Sequence, residues 1–150
     1  MISVAKLLPS DRPTWEELFR GYIDFYRRTE PDEMYERAWQ EFQVGTRLHA
    51  LGARLDGRLV GITHFLTHGS TSAPDNDLCY LQDLFTAPDV RGMGVGRALI
   101  EAVTDWARHR GCYRVYWNTQ ESNQTARHLY DKVASYNGFI KYQIDLPRPS

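Results

Sequence analysis

Cysteine is scarce in this chain, neither sign of charge is in excess, and no apolar run is long enough to cross a bilayer. The two cysteines, Cys79 and Cys112, make neither a redox nor a zinc spacing. One sits in an apolar run and the other follows Gly111, so both are expected to be inert buried thiols rather than a disulfide. His49, His64, His68, His109 and His128 show no metal-ligand spacing, so no metal is expected. Eighteen basic against nineteen acidic side chains leave a formal charge of −1, which offers no basic surface to nucleic acid or to an anionic membrane. The first residues, Met1 to Pro9, lack the apolar core of a signal peptide, and a cytoplasmic protein is the expectation.

What is present suits one globular domain spanning residues 1–150, with 42% hydrophobic and 25% charged residues. Ile2 to Leu8 alternates as a short edge strand. Asp11 and Pro13 open a helix with Trp15, Leu18, Phe19, Tyr22, Ile23 and Tyr26 on its apolar side, and Thr29 to Asp32 breaks it. A second helix, Glu33 to Gln43, buries Met34, Ala38, Trp39 and Phe42. Leu48–Leu55 and Leu59–Phe65, joined through Asp56-Gly57, read as a hairpin. After a polar loop come a buried strand, Leu78–Thr86, a glycine stretch, and a helix ending at Gly111. Arg114–Asn118 is a strand reached by a helical crossover, hence parallel to Leu78–Thr86. Asn123 caps a further helix, Asn137-Gly138 turns the chain, Phe139–Leu146 is a last strand, and Pro147–Ser150 frays. The order is that of an α/β fold on a mixed sheet.

The glycine stretch, Val90–Gly96, carries the first functional signal. Gly92, Gly94 and Gly96 alternate where a strand ends and a helix begins. Unpaired backbone N–H groups and the positive end of the helix dipole then converge on one point, which suits an anion, a phosphate above all. Arg91 and Arg97 flank it and can add charge-assisted bonds. No Gly-Lys-Ser/Thr follows, which excludes a Walker loop, and the spacing does not fit a dinucleotide fingerprint. A glycine-rich turn with no ligand remains the alternative on local physics alone.

Arg91-Gly92-Met93-Gly94-Val95-Gly96 resembles the Arg/Gln-x-x-Gly-x-Gly/Ala motif of the general-control-related N-acetyltransferases, the GNAT superfamily. The likeness extends upstream over Tyr80–Thr86 and downstream over Asn123–Tyr130, with Gly138-Phe139 after it. Within the superfamily the chain looks most like the small-amine, D-amino-acid and histone acetyltransferase branch. The resemblance implies a mixed, mostly antiparallel sheet splayed between two parallel strands and flanked by about four helices. It implies acetyl-CoA as co-substrate, its pyrophosphate on Arg91, Gly92, Met93, Gly94, Val95, Gly96 and Arg97. The pantetheine arm would pair with Leu84, Phe85 and Thr86 and meet Asn123 and Ala126, and Tyr130 would face the thioester sulfur.

Acetyl transfer to an amine needs a neutral amine, a polarised carbonyl and a protonated leaving thiolate. A backbone N–H of Leu84–Thr86 serves the carbonyl, and Tyr130 is the expected acid, a core tyrosine being the alternative. The polyamine relatives carry a glutamate where this chain has Gln82, which cannot accept a proton. Asp83, adjacent, is expected on the opposite sheet face. A water chain held by Gln82 and Tyr80, or a tyrosine of the first helix, is left to take the proton. Tyr22, Tyr26, Glu30, Tyr80, Gln82 and Trp117 are the expected acceptor lining. The reading is thus an N-acetyltransferase for a primary amine of a small molecule, an amino acid or a polyamine. The alternatives are a protein or histone-tail acetyltransferase and a non-catalytic acyl-CoA sensor. With one strand after the last helix, an exposed sheet edge is expected, and with it a homodimer.

Overall fold

The computed structural model describes residues 1–148, in two compact units divided after Asn118. In the first unit, five strands run in the order β1 (Ile2–Ala5), β2 (His49–Leu55), β3 (Arg58–Gly69), β4 (Asp77–Thr86) and β5 (Arg114–Tyr116). The first four are antiparallel and β5 runs parallel to β4. The β2–β3 hairpin turns on Asp56 and Gly57, both at positive φ (51° and 87°), the backbone that a tight two-residue turn requires.

Helices α1 (Arg12–Phe25) and α2 (Asp32–Val44) cover one face of this sheet, and α3 (Val95–His109) covers the other. Neighbouring residues of β3 show the division. His64 lies among Trp15, Phe19 and Phe42 of α1 and α2, whereas Phe65 meets Trp106 of α3. Burial follows the expected periodicity: Trp15, Leu18, Phe19 and Ile23 on α1, and Leu99, Ile100, Val103 and Ala107 on α3. On α2 the buried pair is Tyr35 and Trp39, with Met34, Ala38 and Phe42 half-buried. Asp11 does not cap α1 with its side chain. It accepts instead from the Leu8 N–H (2.7 Å) and from Arg54 (2.6 Å), tying the entry of α1 to β2.

Two features of β4 position the site. Its pairing with β5 is confined to Leu78–Tyr80 against Arg114–Tyr116, so among the described residues β4 has only β3 as a ladder neighbour from Leu81 to Thr86. Its register against β3 also slips: His64 pairs with Asp83 and Phe65 with Leu81, leaving Gln82 as the extra residue of a β-bulge. Ladder partners share a sheet face, so Leu81 joins Phe65 on the α3 side while Asp83 joins His64 on the α1 side. Tyr80, paired with Leu66, also lies on the α1 side. Strict alternation would set Asp83 and Tyr80 on opposite faces, and the bulge at Gln82 brings both to the α1 side.

In the second unit, α4 (Gln124–Val133) begins as expected, with the Asn123 side chain accepting from the Ala126 N–H at 3.4 Å. Phe139–Leu146 does not form the expected last strand: no ladder partner lies beside it among the described residues, and its side chains are exposed. Alternation alone cannot hold a strand whose backbone groups have no neighbour. Of the expected frayed tail, residues 149 and 150 lie outside those described. Cys79 and Cys112 are free. Burial pushes the Cys79 thiol up to about 12, while Cys112 is only half-buried, contrary to expectation, since it follows the turn that ends α3.

Candidate active site

The glycine stretch forms a cradle at the start of α3. Gly92 and Gly94 take φ of 83° and 88°, a region that disfavours side-chain-bearing residues, whereas Gly96 is helical. A Cβ on Gly92 would meet nothing within 4 Å, and one on Gly94 only Ile2 Cδ1 at 4.0 Å. These glycines thus answer to backbone shape and open approach rather than to packing. The first-turn N–H groups of Val95, Gly96 and Arg97 have no partner inside the helix and point out of its N-terminus. The Met93 N–H is used internally, on the Val90 carbonyl (3.2 Å), and the buried Val95 side chain anchors the turn. Arg97 is held by Glu101 (3.2 Å), and Arg91 lies over the Phe85 ring (5.5 Å). An exposed anion fits this set of donors.

From the cradle the free edge of β4 leads back towards the bulge. The Ala87 N–H bonds the Val60 carbonyl of β3 (2.8 Å), and the Asp83 carbonyl accepts from the Thr63 hydroxyl of β3 (2.8 Å). Backbone groups alternate in direction along a strand, so Asp83, Phe85 and Ala87 address β3 while Leu84 and Thr86 address the free edge. The edge thus offers the backbone of Leu84 and Thr86 to an extended ligand. Phe85 turns its backbone inward and sets its ring edge-on to Tyr22, at 6.4 Å.

The expected acceptor residues fall into two groups on the α1 side of the sheet. In the first, the Tyr22 and Tyr26 rings lie 5.0 Å apart, and the Tyr22 hydroxyl reaches the Gln82 carbonyl at 3.5 Å, with the Asp83 carboxylate as its charged neighbour. Burial, and then the neighbouring Asp83 carboxylate, push the Tyr22 phenol far above its ordinary range. Glu30 accepts from Arg28 (2.9 Å) rather than standing alone. In the second group Tyr80 lies against Tyr116 (5.0 Å), and the Asn118 amide donates to the Tyr80 hydroxyl (3.2 Å). The Tyr116 hydroxyl donates to His68 Nε2 (2.7 Å), because His68 Nδ1 faces the Gly69 carbonyl (2.9 Å) and must carry the proton. Burial raises the Tyr116 phenol, which keeps it a donor. Trp117 follows β5 and is half-buried, and the Gln82 side chain is exposed at the bulge.

His68, Tyr116 and Asn118 were not singled out from the sequence, nor was the buried pair of Trp15 and His64. The Trp15 indole N–H donates to His64 Nε2 (3.0 Å), and His64 Nδ1 meets Asp83 Oδ2 (2.9 Å). The polar residues of β3 after Arg58 come in adjacent pairs, Thr63-His64 and Thr67-His68, and do not show which strand lies opposite. In the second unit, Asn123, Ala126 and Tyr130 succeed one another at helical spacing along one side of α4, with Asn123 at its start.

Residues 15–136 match the family model of the acetyltransferase (GNAT) family, and the chain belongs to that family of N-acetyltransferases. It is 32% identical over 146 residues, 95% of this chain and 89% of the relative, to the D-amino-acid N-acetyltransferase HPA3 of Saccharomyces cerevisiae. The structure of a ribosomal-protein-alanine N-acetyltransferase from Brucella melitensis biovar Abortus superposes with a TM-score of 0.82 at 25% identity, covering 97% of this chain and 100% of that one. The fold is shared too with the aminoglycoside N-acetyltransferase AAC(6')-Iy in complex with CoA, at a TM-score of 0.76 and 18% identity over 100% of this chain and 95% of that one. Among the described residues no helix is long and apolar enough to cross a membrane.

Proposed function

We propose that this chain, as one catalytic domain, transfers the acetyl group of acetyl-CoA directly to a primary amine of a small molecule, an amino acid or a polyamine. The observation that carries the reading is the continuous path from the anion cradle at Gly92–Arg97 along the free edge of β4 to the bulge at Gln82. In this reading the cradle N–H groups, with Arg91 and Arg97, hold the pyrophosphate. The backbone of Leu84 and Thr86 lies along the pantetheine arm, and an N–H of that edge polarises the thioester carbonyl. The reading assigns Asn123 and Ala126 to the arm and Tyr130 to the leaving thiolate. Tyr22, Tyr26, Tyr80 and Trp117 wall the acceptor, whose cation suits their ring faces, with Glu30 at the rim. The exposed Gln82 orients the acceptor or a water. The likeness to a D-amino-acid N-acetyltransferase supports the acceptor class. The protein works in the cytoplasm, with neither nucleic acid nor membrane as partner.

The test is release of free thiol from acetyl-CoA with pooled amino acids, polyamines, aminoglycosides and protein-tail peptides. Turnover on one of the small-molecule pools is expected. Turnover on the peptide pool alone would move the acceptor to a protein tail, and tight acetyl-CoA binding without turnover would make the chain a sensor.

We propose further that the chain works as a homodimer. Ile140, Tyr142, Ile144 and Leu146 alternate in the sequence and are 69–88% exposed. An alternating apolar stretch of this kind can take a ladder partner from another chain. Light scattering is expected to give twice the monomer mass at micromolar concentration, and Ile144→Lys to shift it to one. A monomer mass for the unaltered chain overturns the proposal.

A further inference from the structure

The buried polar chain behind the bulge has no place in the steps above, and it ends at the acceptor pocket. Trp15 can only donate, so His64 Nε2 must accept, and the imidazole proton resides on Nδ1, aimed at Asp83 Oδ2. Rings close His64 in on three sides: Phe42 stacked at 4.4 Å, Phe19 edge-on at 4.6 Å and Trp15 beyond. Asp83 is turned to this side of the sheet by the bulge at Gln82, and its carboxylate neighbours the Tyr22 hydroxyl, which reaches the Gln82 carbonyl at 3.5 Å. The remaining groups that face Tyr22 are Tyr26 and Arg28, just after α1. Buried polar chains of this kind are costly unless every member is satisfied, and here each of the four has its partner.

We infer that Tyr22 passes the proton of the attacking amine to Asp83, and that His64 and Trp15 hold Asp83 in place for it. This rests on the acetyl-transfer reading and names the proton acceptor that Gln82 cannot be. As the amine nitrogen bonds to the thioester carbon, the carbonyl π pair moves to oxygen and the nitrogen becomes cationic. One N–H proton goes to the Tyr22 oxygen while the Tyr22 proton goes to Asp83, so the phenol is never ionised. The oxyanion then re-forms the carbonyl, the C–S pair leaves on sulfur, and the thiolate takes a proton from Tyr130. Asp83 returns its proton to water and Tyr130 regains one, which closes the balance. The high phenol range of Tyr22 fits a group that relays without ionising. Tyr22 is the residue that touches the amine; Asp83, His64 and Trp15 are positioning residues that act through it.

A double-mutant cycle tests the relay. Tyr22→Phe and Asp83→Asn are each expected to lower kcat/KM for the amine about 100-fold, the low end for general acid–base catalysis, with acetyl-CoA affinity changed less than twofold. The double variant is expected to be no more than threefold worse than either single one, since members of one unit do not add. Losses that multiply overturn the relay. Imidazole 15N spectra provide a readout that needs no acceptor. His64 is expected as the Nδ1–H tautomer, and in Trp15→Phe, which keeps a ring and removes the N–H, part of it is expected to shift to Nε2–H. An Nε2–H tautomer in the unaltered protein overturns the proposal. If the unaltered protein acetylates no amine, the acetyl-transfer reading falls, and the spectra still decide whether the relay is built as stated.

Discussion

Gly94→Val is expected to weaken acetyl-CoA binding at least 100-fold, about 2.7 kcal/mol, and to leave the protein folded. Gly94 sits at the N-cap of α3 with φ at 88°, and valine in that region is held there only at a cost of about 1–2 kcal/mol. A domain of ordinary stability, about 5–15 kcal/mol, survives that loss. Space is not the obstacle to folding, since the new Cβ meets only Ile2 Cδ1 at 4.0 Å. In the proposed reading the same open space is where a pyrophosphate approaches the first-turn N–H groups, and a branched side chain standing in it would keep the anion off all of them together. Calorimetric titration with acetyl-CoA, beside a thermal melt, checks both halves. An affinity within threefold of the unaltered protein, with the melt unchanged, would remove the cradle.

The cradle was legible because everything that makes it is local. Three glycines, a preceding apolar strand and a following helix-period pattern fix the turn, the free N–H groups and the dipole within twenty-odd residues. The same holds for the Asp56-Gly57 hairpin and for the Asn123 cap, each written in a few adjacent positions. The splay of β4 from β5 entered with the family resemblance and is realised by a short β5 that pairs at three positions.

The bulge was not legible, and it moved the most consequential residue. Leu81-Gln82-Asp83 reads as an unbroken alternation, and nothing in it announces an extra residue. The slip belongs to the register between two strands, His64 on Asp83 and Phe65 on Leu81, and a single strand carries no record of it. The Trp15–His64 bond joins residues 49 positions apart, and on the sequence each looked like an ordinary member of its own element. Phe139–Leu146 failed in the opposite way. Its alternation was correctly seen, but a strand also needs a neighbour, and the sequence of one strand says nothing about who supplies it.

Tyr130→Phe is expected to lower turnover about 100-fold while leaving acetyl-CoA affinity within twofold. Tyr130 lies along the side of α4 that Asn123 begins, and the substitution keeps its ring and removes only the hydroxyl. The acid must deliver a proton to a thiolate, and an ordinary phenol near pKa ~10 is close enough to a thiol near ~8.5 for the transfer to run during bond breaking. Burial and Asp83 push the Tyr22 phenol up, which makes Tyr22 a poor donor to the same thiolate. The assignment is checked by comparing acetyl-CoA with an acetyl donor whose leaving thiol is more acidic. A thiolate that leaves without help makes the lost hydroxyl matter less, so the defect of Tyr130→Phe is expected to shrink at least tenfold with the acidic donor. The defect of Tyr22→Phe, which concerns the nitrogen and not the sulfur, is expected to stay as it was. A Tyr130→Phe loss equal for both donors would show that the hydroxyl serves the helix and not the thiolate.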